Sequence, residues 1–319
     1  RGGRNWHRGA PVQACVPQAG RMQLTIENLS KTYPNGVRAL RGVNLTIDTG
    51  MFGLLGPNGA GKSSLMRTIA TLQDPDAGTI RFGEIDVLRE KDRLRAVLGY
   101  LPQEFGLYPN MTAEAILEHF AILKGVTDGK QRRAQVGALL EQTNLAAARK
   151  TAVGGFSGGM KQRLGIAIAL LGRPRLIIVD EPTAGLDPTE RHRFLNLLAD
   201  ISDDVVVILS THIVEDVREL CGQFAIIAGG EVKFSGAPAA VIDGLRGKIW
   251  RRVCHKSELD ELQRRLRVIS TRLVTGRPVI HVYHDGAPGP DFSAVEPDLE
   301  DVYFHHITAA AQGAAAEAA

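Results

Sequence analysis

A short apolar run, Met51 to Leu55, leads directly into Gly56-Pro57-Asn58-Gly59-Ala60-Gly61-Lys62-Ser63. The spacing is G-x-x-x-x-G-K-[ST], and it predicts a strand, a tight loop and then a helix from Lys62. Leu65, Met66 and Ile69 fall on the inner face of that helix. Strand, glycine loop and helix begin a parallel α/β unit. Glycines let backbone N–H groups turn inward onto phosphate oxygens with no Cβ in the way. The helix N-terminus faces the same anion. Lys62 is placed to reach β- and γ-phosphates, and the Ser63 hydroxyl to ligate Mg²⁺. Ser64 directly follows and is counted with the cradle.

A second anchor supports the first. Leu176-Ile177-Ile178-Val179 is a short, continuously apolar run, as a buried parallel strand should be, and it ends in Asp180-Glu181. Ligands of open α/β sheets bind at the carboxyl ends of the strands. Asp180 is expected to hold Mg²⁺, directly or through water, and Glu181 to orient or deprotonate an attacking water. Val205 to Leu209 and Phe224 to Ala228 read as further buried strands. Met22, Leu24, Ile26 and then Val43, Leu45, Ile47 alternate with polar residues, which predicts two half-buried antiparallel strands. Tyr33-Pro34-Asn35-Gly36 marks the turn between them.

The 319 residues allow about two domains. Lys and Arg number 38 against 35 Asp and Glu, a net charge of +3, too even for a nucleic-acid binder by bulk charge. Three scattered cysteines (Cys15, Cys221, Cys254) exclude a disulfide framework and a zinc ribbon. Apolar stretches such as Gly165 to Leu171 fall well short of the roughly 20 residues that span a bilayer. Residues 1–21, with Arg1, Arg4 and Arg8 and no apolar segment, read as a disordered leader before Met22. Residues 86–170 read as mainly helical, with Thr112 capping a helix that carries Glu114 in its first turn. The pattern weakens near Gly236-Ala237-Pro238. Beyond 245 a small module follows, with strands at Lys248–Cys254, Val268–Val274 and Val279–His284, a helix at Ser257–Leu266 and a final helix at Pro297–Ile307. The alanine-rich residues 309–319 read as a flexible tail.

The two anchors, with further motifs in the same order, resemble the ATPase of ATP-binding cassette transporters over residues 22–240. Phe156-Ser157-Gly158-Gly159-Met160-Lys161-Gln162-Arg163 resembles the family signature, although Phe156 and Met160 stand where Leu and Gln are common. Ser157 can cap the helix that follows, leaving Gly158 and Gly159 to meet an anion. In the family this segment binds the γ-phosphate held by the opposite subunit. Gln103 resembles the glutamine that senses Mg²⁺ and the attacking water. His212, after Ser210-Thr211, resembles the histidine that contacts the γ-phosphate. Ala184-Gly185-Leu186-Asp187 resembles the loop that crosses the dimer interface. Tyr33 resembles the aromatic that stacks on adenine; a turn tyrosine could equally be a packing residue. Leu299-Glu300-Asp301-Val302-Tyr303-Phe304 is similar to the closing segment of cassettes serving drug and antibiotic exporters.

The resemblance implies a P-loop NTPase core with an antiparallel β subdomain and a helical subdomain, plus a small α+β C-terminal module at 245–308. It further implies ATP and Mg²⁺ as cofactors, a homodimer or heterodimer of ATPase subunits, and a separate transmembrane permease. The region from Glu104 to Gly125 would pass motion to that permease, and the chain is expected in the cytoplasm, peripheral on the inner face of the cell membrane. A non-transport cassette acting on nucleic acid is the alternative, but Glu258, Asp260 and Glu261 interleave with Arg251, Arg252, Arg264, Arg265 and Arg267. A kinase or GTPase fits less, because no N-K-x-D motif is present and Ser157–Gly159 would have no task there. The C-terminal module could regulate, dimerise or dock. Its histidines predict no transition-metal site, because His281 and His284 point to opposite faces of a strand and His305-His306 are adjacent on a helix.

Overall fold

The computed structural model describes residues 22–103, 106–182 and 187–318. The leader 1–21, Glu104 at the start of the expected coupling region, and Ala184, Gly185 and Leu186 of the expected interface loop lie outside them. The first third of the chain forms β1 (Leu24–Thr32), β2 (Arg38–Ile47), β3 (Gly50–Leu55), α1 (Lys62–Ile69), β4 (Ala77–Phe82), β5 (Ile85–Asp86), α2 (Lys91–Val97) and β6 (Leu98–Leu101). The middle forms α3 (Ala113–Leu123), α4 (Gly129–Gln142), α5 (Gly158–Ala169), β7 (Leu176–Asp180), α6 (Pro188–Ile201), β8 (Val206–Thr211), α7 (Val214–Leu220), β9 (Gln223–Ala228) and β10 (Glu231–Gly236). The last part forms α8 (Pro238–Gly244), β11 (Ile249–Val253), α9 (Leu259–Arg265), β12 (Val268–Val274), β13 (Arg277–Tyr283), β14 (Ser293–Ala294) and α10 (Leu299–Ala318).

Three sheets organise these elements. β2, β1, β4 and β5 form an antiparallel sheet in that order. Leu24 pairs with Ile47 and Ile26 with Leu45, so the two alternating segments bury the same face. The central sheet runs β10-β9-β3-β8-β7-β6, parallel from β9 to β6 with β10 added as an antiparallel edge. Its two faces feed two cores, as side chains of period two require. Phe52, Leu54, Ile178 and Ile208 pack with the antiparallel sheet and α1. Leu55, Ile177, Val179 and Leu209 pack with α3, α5 and α6.

The stretch 86–170 is mainly helical, as expected, with Leu98–Leu101 as the edge strand β6, paired with β7. A four-residue strand carries no readable period and forms only when its partner strand is in place. The weakened pattern at Gly236-Ala237-Pro238 opens α8, with Pro238 in the first turn where a missing N–H costs nothing. The last helix starts at Leu299 and continues to Ala318, beyond the expected end at Ile307, so it takes in residues 309–318 of the alanine-rich segment. Alanine has the highest intrinsic helix propensity, and a run of it extends a docked helix without needing an apolar face.

The C-terminal residues also share the cassette's core. Ile249, Ile269, Leu299, Val302 and Tyr303 belong to the same buried cluster as Val217, Phe224 and Ile226. His306 stacks on Phe234 of β10 at 5.1 Å between centroids, and His305 lies against Tyr283 at 4.5 Å. His281 Nδ1 lies 2.6 Å from Asp301 Oδ1, and His284 falls just past the end of β13.

Candidate functional site

Parallel pairing brings four chain segments to one edge. Leu55 pairs with Thr211 across β3 and β8, Asp180 with Ser210 across β7 and β8, and Leu101 with Val179 across β6 and β7. The residues that follow those strand ends are Gly56, His212, Glu181 and Gln103. Four positions separated widely in sequence therefore converge because each ends a strand of one sheet.

The glycine loop is held tightly against its surroundings. A Cβ on Gly56 would lie 2.4 Å from the Ile227 carbonyl, and one on Gly61 would lie 2.4 Å from the Ala39 carbonyl. Gly61 also has φ +109, a conformation that side chains disfavour. It precedes α1 with no side-chain cap, so the first N–H groups of that helix stay directed at the loop. Lys62 is buried; its Nζ donates to Gly56 O at 2.6 Å and Pro57 O at 3.2 Å. The ammonium also stands 3.5 Å from Glu181 Oε1. Burial pulls the Lys62 pKa down, and the carboxylates of Glu181 and Asp180 act against that shift.

Glu181 is the meeting point. Its backbone N–H donates to Ser210 O at 2.9 Å and its φ is 48°, in the left-handed region where non-glycine residues carry strain. Gln103 Nε2 donates to Oε2 at 3.3 Å, and His212 Nδ1 lies 3.5 Å from the same oxygen. His212 is half exposed, but the turn before α7 is anchored: Thr211 Oγ1 accepts from Ile213 N at 3.0 Å and donates to the fully buried Asp216 at 3.4 Å. Arg191 Nε donates to Asp216 Oδ1 at 2.8 Å.

Asp180 is 2% exposed, and its Oδ1 has no hydrogen-bond partner among the described residues. The same holds for Ser210 Oγ, its neighbour in register. A buried carboxylate oxygen and a buried hydroxyl without a protein partner are the kind of oxygen donors that suit a hard divalent cation or its waters.

A cavity of about 460 Å³ joins the phosphate loop to Gln103 and Glu181, while Asp180, Ser210 and His212 do not line it. Tyr33, Pro57, Asn58, Gly59, Ala60, Gly61, Lys62, Ser63, Ser64, Gln103 and Glu181 line it. Tyr33 sits at one side with its hydroxyl 3.0 Å from Ser64 Oγ and donating to Gln73 Oε1 at 3.0 Å. Ser157, Gly158 and Gly159 do not line this cavity. Ser157 caps α5, its Oγ accepting from Met160 N at 3.3 Å.

Two contributors escape a motif reading. Gly229 and Gly230 form the hairpin between β9 and β10, with φ 59° and 83°, as a two-residue turn of that type requires. Gly230 N donates to Ala60 O at 3.0 Å, so the hairpin buttresses the phosphate loop. Gln162 Nε2 donates to Pro182 O at 2.5 Å and thereby joins the helix capped by Ser157 to the residue after Glu181. Both contacts are long-range, and only the glycine pair leaves a turn signal in the sequence.

Residues 40–184 match the family described as ABC transporter. The Linearmycin resistance ATP-binding protein LnrL of Bacillus subtilis (strain 168) is 36% identical over 226 residues, which are 70% of this chain and 72% of LnrL. The chain belongs to the ABC transporter ATP-binding family. The Probable multidrug ABC transporter ATP-binding protein YbhF of Escherichia coli (strain K12) is 32% identical over 296 residues, or 88% of this chain. That likeness exceeds what residues 40–184 cover and takes in part of the C-terminal module. The chain spans about half of YbhF, 51% of its length. Among solved structures, the dimeric post-hydrolysis state of the ATP-binding cassette MJ0796 bound to ADP and Pi superposes with a TM-score of 0.62 at 28% identity. It covers 67% of this chain and 98% of its own. The fold is that of an ABC cassette, and among the described residues no helix is long and apolar enough to cross a membrane.

Proposed function

We propose that this cassette binds ATP in the Gly56–Ser64 cavity, hydrolyses it, and drives a separate membrane-spanning permease. Lys62 and the loop N–H groups hold the β- and γ-phosphates, and Tyr33 packs on the adenine. Asp180, Ser63 and Gln103 would hold Mg²⁺, which neutralises charge on the phosphate oxygens when bound. Glu181 accepts a proton from, or aligns, the attacking water, and His212 hydrogen-bonds the γ-phosphate. Ser157, Gly158 and Gly159 act on the nucleotide of a facing copy, as their position outside their own chain's cavity supports. ATP then holds two copies together, and loss of the γ-phosphate lets them part. The names of LnrL and YbhF support an exporter of drug-like or antibiotic cargo. Such a chain works from the cytoplasmic face of the membrane, bound to its permease, in a dimer with a second ATPase subunit. Residues 22–240 serve as the ATPase and 245–308 as an appended module.

One observation carries this reading: a single carboxylate, Glu181, lies within 3.5 Å of Lys62, Gln103 and His212, contributed by three other segments of the chain. The test is ATP-dependent dimerisation of Glu181→Gln, followed by light scattering. The variant is expected to dimerise stably with ATP and Mg²⁺, because it binds but does not cut. A variant that stays monomeric with ATP, or that hydrolyses at the parent rate, contradicts the assignment.

A further inference from the structure

A second cavity, of about 660 Å³, opens at the amino ends of β7 and β8, on the edge of the sheet away from the phosphate loop. One wall is α4, through Gln131, Gln135, Leu139 and Gln142; the other is the core, through Arg173 and Ile177. Its lining is mainly apolar, and its size is that of a small-ligand site. No hydrogen bond or ion pair is made among the described residues by the side chains of Gln131, Gln135, Gln142 or Arg173. Arg173 also has φ 57° and precedes a proline, two conditions that oppose each other sterically. The exposed Arg173 thus stands at the rim of an apolar hollow, with the exposed Gln131 and Gln142 on the facing helix. Guanidinium recognises a carboxylate through paired hydrogen bonds, and the apolar lining recognises a hydrocarbon body.

We propose that this cavity binds a small monoanionic amphiphile, its carboxylate on Arg173 and its hydrocarbon chain over Leu139 and Ile177. The two walls belong to the helical layer and to the sheet core, so a bound molecule fastens one to the other. The site is independent of the nucleotide cavity and of the transport reading.

The probe is decanoate below its micelle concentration, titrated into the full chain by calorimetry. Saturable binding of one decanoate per chain is expected. Arg173→Ala should weaken it by about tenfold, the loss of one charge-assisted pair. Ala138→Trp adds a large ring at an exposed position of the same lining and should abolish binding without disturbing the fold. Lys62→Ala should bind decanoate like the parent, which separates this cavity from the phosphate loop. Absence of saturable heat, equal binding by all variants, loss on Lys62→Ala, or equally tight binding of decanol would each overturn the proposal.

Discussion

Glu181 at φ 48° and Gly61 at φ 109° mark the two places where backbone conformation and chemistry meet. For Glu181 the strain is of order 1–3 kcal/mol and persists because Ser210, Lys62, Gln103 and His212 surround it. Replacing its carboxylate with the isosteric amide in Glu181→Gln removes the proton acceptor of the proposed mechanism. Steady-state ATPase activity should fall by about a hundredfold or more, while nucleotide affinity, read by equilibrium binding, changes little. Gly61→Ala is a different kind of change. Its Cβ would stand 2.4 Å from the Ala39 carbonyl at a φ that alanine disfavours. A loss of more than about 2 kcal/mol of stability is expected in denaturant melts, together with loss of ATP binding. An unaltered melt would show that the loop shifts freely. Most residues of the cavity were legible in the sequence because loop-and-strand-end chemistry is local: Gly56 to Ser63 and Asp180-Glu181 are contiguous runs. The Gln162 to Pro182 contact and the orphaned oxygens of Asp180 and Ser210 were not, because they arise only when separate strands and helices meet.

Helix α10 shows the same division among elements. Its start was readable from Leu299, Val302 and Tyr303, all buried, whereas its continuation through the alanines has no periodic signal. Its docking was illegible, since Phe234, Tyr283 and Arg267, which meet His305 and His306, lie far away in sequence. Burial, Arg267, His306 and Lys248 push the His305 pKa down to about 4, and burial and Arg267 lower that of His306. A depressed pKa means that the folded chain prefers neutral imidazoles. The stability they contribute is fully present above the unfolded value near 6.5. It is lost as pH falls from there through the folded value near 4. Melts between pH 7 and 4 should therefore show stability declining with acid, and a His305→Gln, His306→Gln double variant should show a shallower decline. An equal slope would remove these histidines from the docking. Packing at the same joint gives a second check. Val302 is fully buried in the cluster shared with the cassette, so Val302→Ala should cost about 2 kcal/mol in denaturant unfolding. A change under a few tenths would mean that α10 is not docked there.

Across the whole molecule, one sheet edge gathers the phosphate loop, the two acids, Gln103 and His212, while Ser157 caps a helix whose start takes no part in that cavity. On the proposed reading, Ser157, Gly158 and Gly159 serve the cavity of a facing copy, and two-fold pairing would let each copy complete the other. On that reading Lys62→Ala would disable the cradle of its own chain, and Ser157→Ala what that chain offers its partner. In a mixed dimer one site collects both lesions and the other collects neither. The most direct measurement is therefore ATPase activity of Lys62→Ala and Ser157→Ala chains, separately and mixed. Two inactive preparations that regain activity on mixing are the predicted result; a mixture no more active than either variant alone would contradict the shared site.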